Sequence, residues 1–263
     1  MIIKPKKSLG QNFLVDKYII EKIINTVEIS EDSEILEVGP GTGNLTECIL
    51  RKKPKEIYVI EKDKTLVPYL ENKFNNKIKI INKDVLKINE NLISKKKLIV
   101  FGNLPYNIST ELLIKWILNL DKEFWFTKLI LMFQKEVADR IIAKINTSSY
   151  GRLTILSNWK LDIKKIIDIG PNSFFPKPKI DSSLIIFSPK KDYFKIKNAK
   201  NLEVITRIFF NHRRKMIKKP FNQIFQNSNS IQKKLKLDLN LRPQNLSINK
   251  YFEITKEYEN LRN

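Results

Sequence analysis

Six short runs rich in β-branched and aromatic residues punctuate the first two thirds of the chain. They fall at Glu34–Val38, Ile57–Ile60, Ile78–Ile81, Leu98–Phe101, Leu129–Phe133 and Leu184–Phe187, each the length of a buried strand. Between the early runs lie stretches with helical spacing, such as Leu45, Ile49 and Leu50, or Leu112, Leu113, Trp116 and Ile117. Strand alternating with helix predicts an α/β fold built on a parallel sheet with helices on both faces.

The pattern changes at Phe187-Ser188-Pro189-Lys190-Lys191, where a proline and a charge cluster close the last strand-like run. Beyond it Leu202, Ile205, Ile208 and Phe209 share one helical face. Two domains are therefore expected, 1–189 and a small helical 190–263.

Composition removes several classes of function. A single cysteine, Cys48, forbids an intramolecular disulfide, and with the single histidine, His212, it cannot assemble a Cys/His zinc site, so no metal is expected. The apolar stretches are far shorter than the ~20 residues of a membrane span, and Met1–Gly10 leads into no apolar signal core. A cytoplasmic monomer with no membrane partner is the expectation. Lys and Arg number 49 against 28 Asp and Glu, a net charge of +21, which points first to a nucleic-acid partner. Only eight of the basic residues are arginine, as a lysine-rich composition alone would give. Distribution favours the functional reading, since residues 190–263 carry 18 basic and 6 acidic side chains.

Glu37-Val38-Gly39-Pro40-Gly41-Thr42-Gly43-Asn44 comes directly after the first strand and opens a helix, so Gly39 can let backbone approach a ligand at the carboxyl edge of the sheet. The loop lacks the lysine of a phosphate-binding P-loop, which argues against nucleotide hydrolysis. Glu61 ends the next strand 22 residues after Gly39, the spacing at which a carboxylate reaches ribose hydroxyls. Asp84 falls at the same edge and can accept from an exocyclic adenine amine. The ligand is then a dinucleotide or S-adenosylmethionine.

Asn103-Leu104-Pro105-Tyr106 comes after the fourth strand. Pro105 stiffens the turn and biases Leu104 toward an extended conformation. The Asn103 side-chain oxygen and the Leu104 carbonyl are two acceptors for the two N–H bonds of an aromatic amine. Holding both favours a pyramidal nitrogen with its lone pair free for attack, which is positioning and electrostatic preorganisation, not general base catalysis. Tyr106 can stack on the target base.

These blocks, with Ser8-Leu9-Gly10-Gln11-Asn12-Phe13-Leu14, Tyr150-Gly151-Arg152-Leu153, Phe174-Phe175-Pro176-Lys177-Pro178-Lys179-Ile180-Asp181-Ser182 and Asn211-His212-Arg213-Arg214-Lys215, resemble the bacterial small-subunit ribosomal RNA adenine dimethyltransferase family nearly end to end. The resemblance implies a Rossmann-like methyltransferase domain with a small helical C-terminal domain. It implies transfer of methyl groups from S-adenosylmethionine to N6 of two adjacent adenosines near the 3′ end of small-subunit RNA, in a pre-ribosomal particle during ribosome biogenesis. It also implies that Asn12 and Leu14 close over the cofactor, Gly39 lies beneath it, Glu61 binds its ribose and Asp84 its adenine. Asn103 would sit between cofactor and target base, and Phe174 would form a second stacking wall opposite Tyr106. Arg213, Arg214, Lys215, Lys218 and Lys219 are expected to meet RNA phosphates. Gln244 departs from the family pattern, where an acid is usual. The competing classes are the related large-subunit enzyme, a DNA amino-methyltransferase, a non-catalytic RNA-binding assembly factor and a nicotinamide dehydrogenase.

Overall fold

The structure is a computed structural model, described for residues 4–120, 123–226 and 228–262. Its strands are β1 (Phe13–Leu14), β2 (Glu34–Val38), β3 (Glu56–Ile60), β4 (Lys79–Ile81), β5 (Leu98–Gly102), β6 (Phe126–Gln134), β7 (Leu161–Ile169), β8 (Phe174–Phe175) and β9 (Ser182–Pro189). Its α-helices are α1 (Lys17–Ile24), α2 (Asn44–Arg51), α3 (Val67–Phe74), α4 (Tyr106–Leu118), α5 (Lys135–Ile141), α6 (Arg152–Lys160), α7 (Ala199–Phe210), α8 (Lys218–Ile224), α9 (Ser228–Leu235) and α10 (Ile248–Asn260). Among the described residues, no helix is long and apolar enough to cross a membrane.

Seven strands form one sheet in the order β4-β3-β2-β5-β6-β9-β7, while β1 and β8 pair separately. Strands β4 to β6 along this order are mutually parallel, as the alternation of strand and helix requires. Leu36, Val59, Val100 and Leu129 are fully buried along them, which matches their unbroken apolar character. Strand β9 runs antiparallel to β6, with Leu129 opposite Phe187. The sheet is therefore mixed, with the parallel pairing expected from the early strands confined to β4-β3-β2-β5-β6. Antiparallel pairing needs no crossover helix, and β7 and β9 are sheet neighbours joined through β8 without one.

The chain divides into two compact units. The first comprises Met1–Lys115, Leu120–Ala138 and Ile163–Pro189, and the second Trp116–Asn119, Asp139–Asp162 and Lys190–Asn263. The second is thus not one continuous C-terminal segment, as the expected 1–189 and 190–263 division has it. Packing explains the difference, because α6 lies against α7 and α10. Within this unit the α10 carboxylate of Glu259 accepts from the Lys197 and Asn198 N–H groups at 2.9 Å each, satisfying donors at the start of α7. Tyr251 stacks on Phe210 and donates its hydroxyl to the Pro243 carbonyl at 2.7 Å.

Candidate active site

Strand order reverses around β2, which has β3 on one side and β5 on the other, so a crevice opens beyond its carboxyl end. Four chain segments leave the sheet there: Gly39 after β2, Glu61 after β3, Asp84 after β4 and Asn103 after β5. All four line a single cleft of about 890 Å³, counted to its open mouth, together with Asn12, Leu104, Pro105 and Tyr106. These residues, all singled out in the sequence, thus converge on one cavity of the first unit.

Gly39 has φ +71°, and a Cβ there would stand 3.6 Å from the Asn103 carbonyl oxygen. Gly41 is tighter, since its missing Cβ would lie 2.6 Å from Phe13 Cδ1. Only glycine supplies both the left-handed backbone and the clearance. Glu61 is buried, and its carboxylate accepts from the Asp63 N–H at 2.8 Å and the Gly41 N–H at 3.3 Å. Burial pushes its carboxyl above the usual range, partly offset by those N–H donors. Asp84 is held low by Lys62 at 2.8 Å, and its other oxygen accepts from the Leu86 N–H at 3.0 Å. Two acceptor carboxylates and a glycine-floored approach fit a nucleoside, whose ribose hydroxyls and exocyclic amine are donors.

The turn after β5 is fixed at both ends. Leu104 buries its side chain at 1% exposure, leaving only its backbone for chemistry. Asn103 Nδ2 donates to the Asn12 carbonyl at 2.9 Å. That bond commits the amino end of the amide, so Oδ1 is the end presented as an acceptor. Tyr106 opens α4, and its hydroxyl lies 2.6 Å from Ser182 Oγ at the start of β9. Nothing local in the sequence signals that long-range partner.

The N-terminal segment is tied to the same cleft through Asp63, which is 4% exposed. Lys6 Nζ donates to Asp63 Oδ1 at 2.6 Å and Gln11 Nε2 to Oδ2 at 3.0 Å. Although burial opposes it, donation from Lys6 and Thr65 holds the Asp63 carboxyl down at about 2. The sequence carries no signal of this anchor, because Lys6 and Gln11 stand 57 and 52 residues from Asp63. Asn12 reaches the cleft as expected. Leu14 buries its side chain and borders a smaller recess that shares Gly39 and Asn103 with the cleft, while its carbonyl accepts from Asn44 Nδ2 at 2.9 Å.

Phe174 differs from expectation. It is 3% exposed, sits in the apolar core and does not line the cleft. Its backbone pairs with Leu14 across the β1–β8 ladder, and both side chains, like that of Phe13, belong to the apolar core.

The basic residues belong to the second unit. Arg214, Lys215, Lys218 and Lys219 are exposed, as phosphate contacts require. Arg213 is half-buried and already engaged: Nε donates to Gln244 Oε1 at 3.1 Å and an Nη to the Thr147 carbonyl at 3.0 Å. Gln244 is therefore the partner of an arginine.

A family model described as ribosomal RNA adenine dimethylase matches residues 2–260. A "Ribosomal RNA small subunit methyltransferase A" of Pelagibacter ubique is 62% identical over 262 residues, covering 100% of both chains. A protein of the same name from a Wolbachia of Drosophila simulans is 42% identical, covering 95% of this chain and 92% of its own. Among solved structures, a dimethyladenosine transferase from Plasmodium falciparum aligns with a TM-score of 0.78 at 26% identity, over 94% of this chain and 98% of that one. The 23S rRNA methyltransferase ErmE aligns at 0.69 and 20% identity, over 94% and 100%, a likeness of fold alone. Matched by the family model over residues 2–260 and by a 62% identical relative over 262 residues, the chain belongs to the ribosomal RNA adenine dimethylase family.

Proposed function

We propose that the chain dimethylates N6 of two adjacent adenosines near the 3′ end of small-subunit ribosomal RNA, acting in the cytoplasm as a monomer on a pre-ribosomal particle. The names of its relatives and the match of the whole chain to the family support the RNA and the reaction. S-adenosylmethionine is the donor and supplies an activated methyl group when bound.

The observation that carries the mechanism is the fixed polarity of the Asn103 amide, whose Nδ2 is committed to the Asn12 carbonyl. Asn103 Oδ1 and the Leu104 carbonyl accept the two N–H bonds of the target amine. Drawing electron density toward the nitrogen and away from the ring restores its nucleophilicity without a general base. Tyr106, anchored through its hydroxyl to Ser182, offers a ring face to an extruded base. Glu61 and Asp84 orient the cofactor's ribose and adenine, and Gly39 keeps the floor open. Exposed Arg214, Lys215, Lys218 and Lys219 of the second unit hold RNA phosphates.

The test is incubation of the purified chain with tritiated S-adenosylmethionine and small-subunit particles lacking adenine dimethylation, and then nucleoside analysis. Dimethyladenosine at two adjacent positions is expected. Label confined to large-subunit RNA or to DNA would refute the substrate. Asn103→Ala should retain RNA affinity and lose methyl transfer by roughly 100- to 1000-fold, the scale of one lost preorganised contact.

A further inference from the structure

Strand β8 alternates, so its two phenylalanines have opposite fates. Phe174 pairs with Leu14 and Phe175 with Phe13, and of these four side chains Phe175 alone lies outside the apolar core. Directly opposed residues of an antiparallel pair place their side chains on one face. Phe13 lines the cleft, yet Phe175 beside it is 59% exposed. A large aromatic ring is thus presented to solvent on the cleft-lining side of the β1–β8 ladder.

From Phe175 the chain continues as Pro176-Lys177-Pro178-Lys179-Ile180-Asp181 and reaches Ser182, the partner of the Tyr106 hydroxyl. Lys177 and Lys179 are exposed, and the two prolines restrict φ along the segment. Asp181, the one acid of the segment, is exposed, and its backbone carbonyl accepts from the Lys135 N–H at 2.9 Å. An open aromatic face flanked by two cations on a stiffened segment is the pairing that single-stranded nucleic acid recognises: a base stacks and the adjoining phosphates meet the lysines.

We propose that Phe175, with Lys177 and Lys179, is a stacking platform for a nucleobase of the single-stranded RNA that flanks the target adenosine. The proposal rests on the RNA reading above and adds a contact to it. The platform sits at one end of the segment and Tyr106 is tied to the other, so a strand seated on Phe175 is registered relative to the ring that faces the target.

Full-length Phe175→Ala, Phe175→Leu and Phe175→Trp are compared with wild type for binding to a fluorescein-labelled single-stranded RNA carrying the two adjacent adenosines. Cofactor affinity is measured in parallel. Phe175→Ala and Phe175→Leu should weaken RNA binding roughly 5- to 100-fold with cofactor affinity unchanged, and Phe175→Trp should restore it. Lys177→Ala and Lys179→Ala should each flatten the salt dependence by about 0.7. Wild-type affinity in Phe175→Ala overturns the proposal, and so does wild-type affinity in Phe175→Leu, which would mark an apolar contact with no stacking. Methylation of the particles by wild type, measured alongside, keeps the two readings apart: its absence overturns the broader reading, whereas its presence with unchanged RNA affinity in the variants overturns the platform alone.

Discussion

Glu37, the penultimate residue of β2, is 2% exposed, and its nearest fixed partner is Thr46, whose hydroxyl donates to Glu37 Oε2 at 2.6 Å. Burial raises its carboxyl from 4.5 to about 7, with Thr46 opposing the shift and Glu61 adding to it. Between these two values the folded chain binds more protons at Glu37 than the unfolded chain, so stability falls as pH rises. The contribution is complete below 4.5 and lost above about 7. At about 1.36 kcal/mol per pH unit, that gap corresponds to about 3 kcal/mol. Glu37→Gln keeps an oxygen for Thr46 and removes the titration. Denaturant unfolding of both proteins at a series of pH values from about 4.5 to 8 measures the effect. The variant's stability relative to wild type should climb by about 3 kcal/mol across the range and level off above about pH 7. Parallel curves would show that Glu37 does not titrate upon burial and would refute the reasoning.

Three further perturbations separate binding contacts from structural ones. Lys115 of α4 donates to the Val85 and Ile88 carbonyls and pairs with buried Glu90 at 2.8 Å, so Lys115→Met should lower Tm by roughly 5–10 °C and weaken cofactor affinity through the Asp84–Val85 loop. Restoration of Tm without restoration of cofactor affinity in Lys115→Met/Glu90→Gln would disconnect the two effects. Asp63→Asn removes the charge that holds Lys6 and should weaken cofactor binding about 10-fold by calorimetry, since one charge-assisted hydrogen bond is at stake; an unchanged Kd would remove the N-terminal segment from cofactor binding. Arg214→Ala should flatten the salt dependence of RNA binding by about 0.7–0.9, whereas Arg213→Ala should chiefly lower thermal stability, and equal slopes for the two variants would contradict the assignment.

The parallel half of the sheet was legible because buried strands leave contiguous apolar runs and the helices between them leave a different period. Strand β7 was not, because it is an edge strand in which Asp162, Lys164, Lys165 and Asp168 interrupt the isoleucines, and edge strands tolerate such charges. The cleft was legible for a related reason. Gly39, Glu61, Asp84 and Asn103 each stand just beyond a strand end, so reading the strands also reads the sheet edge at which they meet. Residues that anchor the N-terminal segment from far along the chain carry no such mark: Lys6, Gln11 and Asp63 are polar residues in polar surroundings until the fold brings them together. The Phe174 and Phe175 pair shows the limit at its finest. A two-residue strand has too few positions to display an alternation, so which ring faces the core is set by the register with Phe13 and Leu14 and by nothing within the motif.

That register also joins binding to chemistry. The segment that contributes Phe13 and Leu14 to β1 contributes the Asn12 carbonyl to Asn103, and it is secured at its other end by Lys6 and Gln11 on Asp63. Loss of the Asp63 anchor therefore acts on two quantities through one piece of backbone: the closure of the cofactor cleft and the orientation of the Asn103 amide. A loosened segment that merely uncovered the cleft would raise KM for the cofactor and leave kcat alone. Because the Asn103 amino group depends on Asn12, Asp63→Asn should lower kcat as well, and saturating cofactor should not restore it. A full recovery of kcat at saturating S-adenosylmethionine would show that the amide keeps its orientation without the strap, and that the turn after β5 is rigid enough by itself.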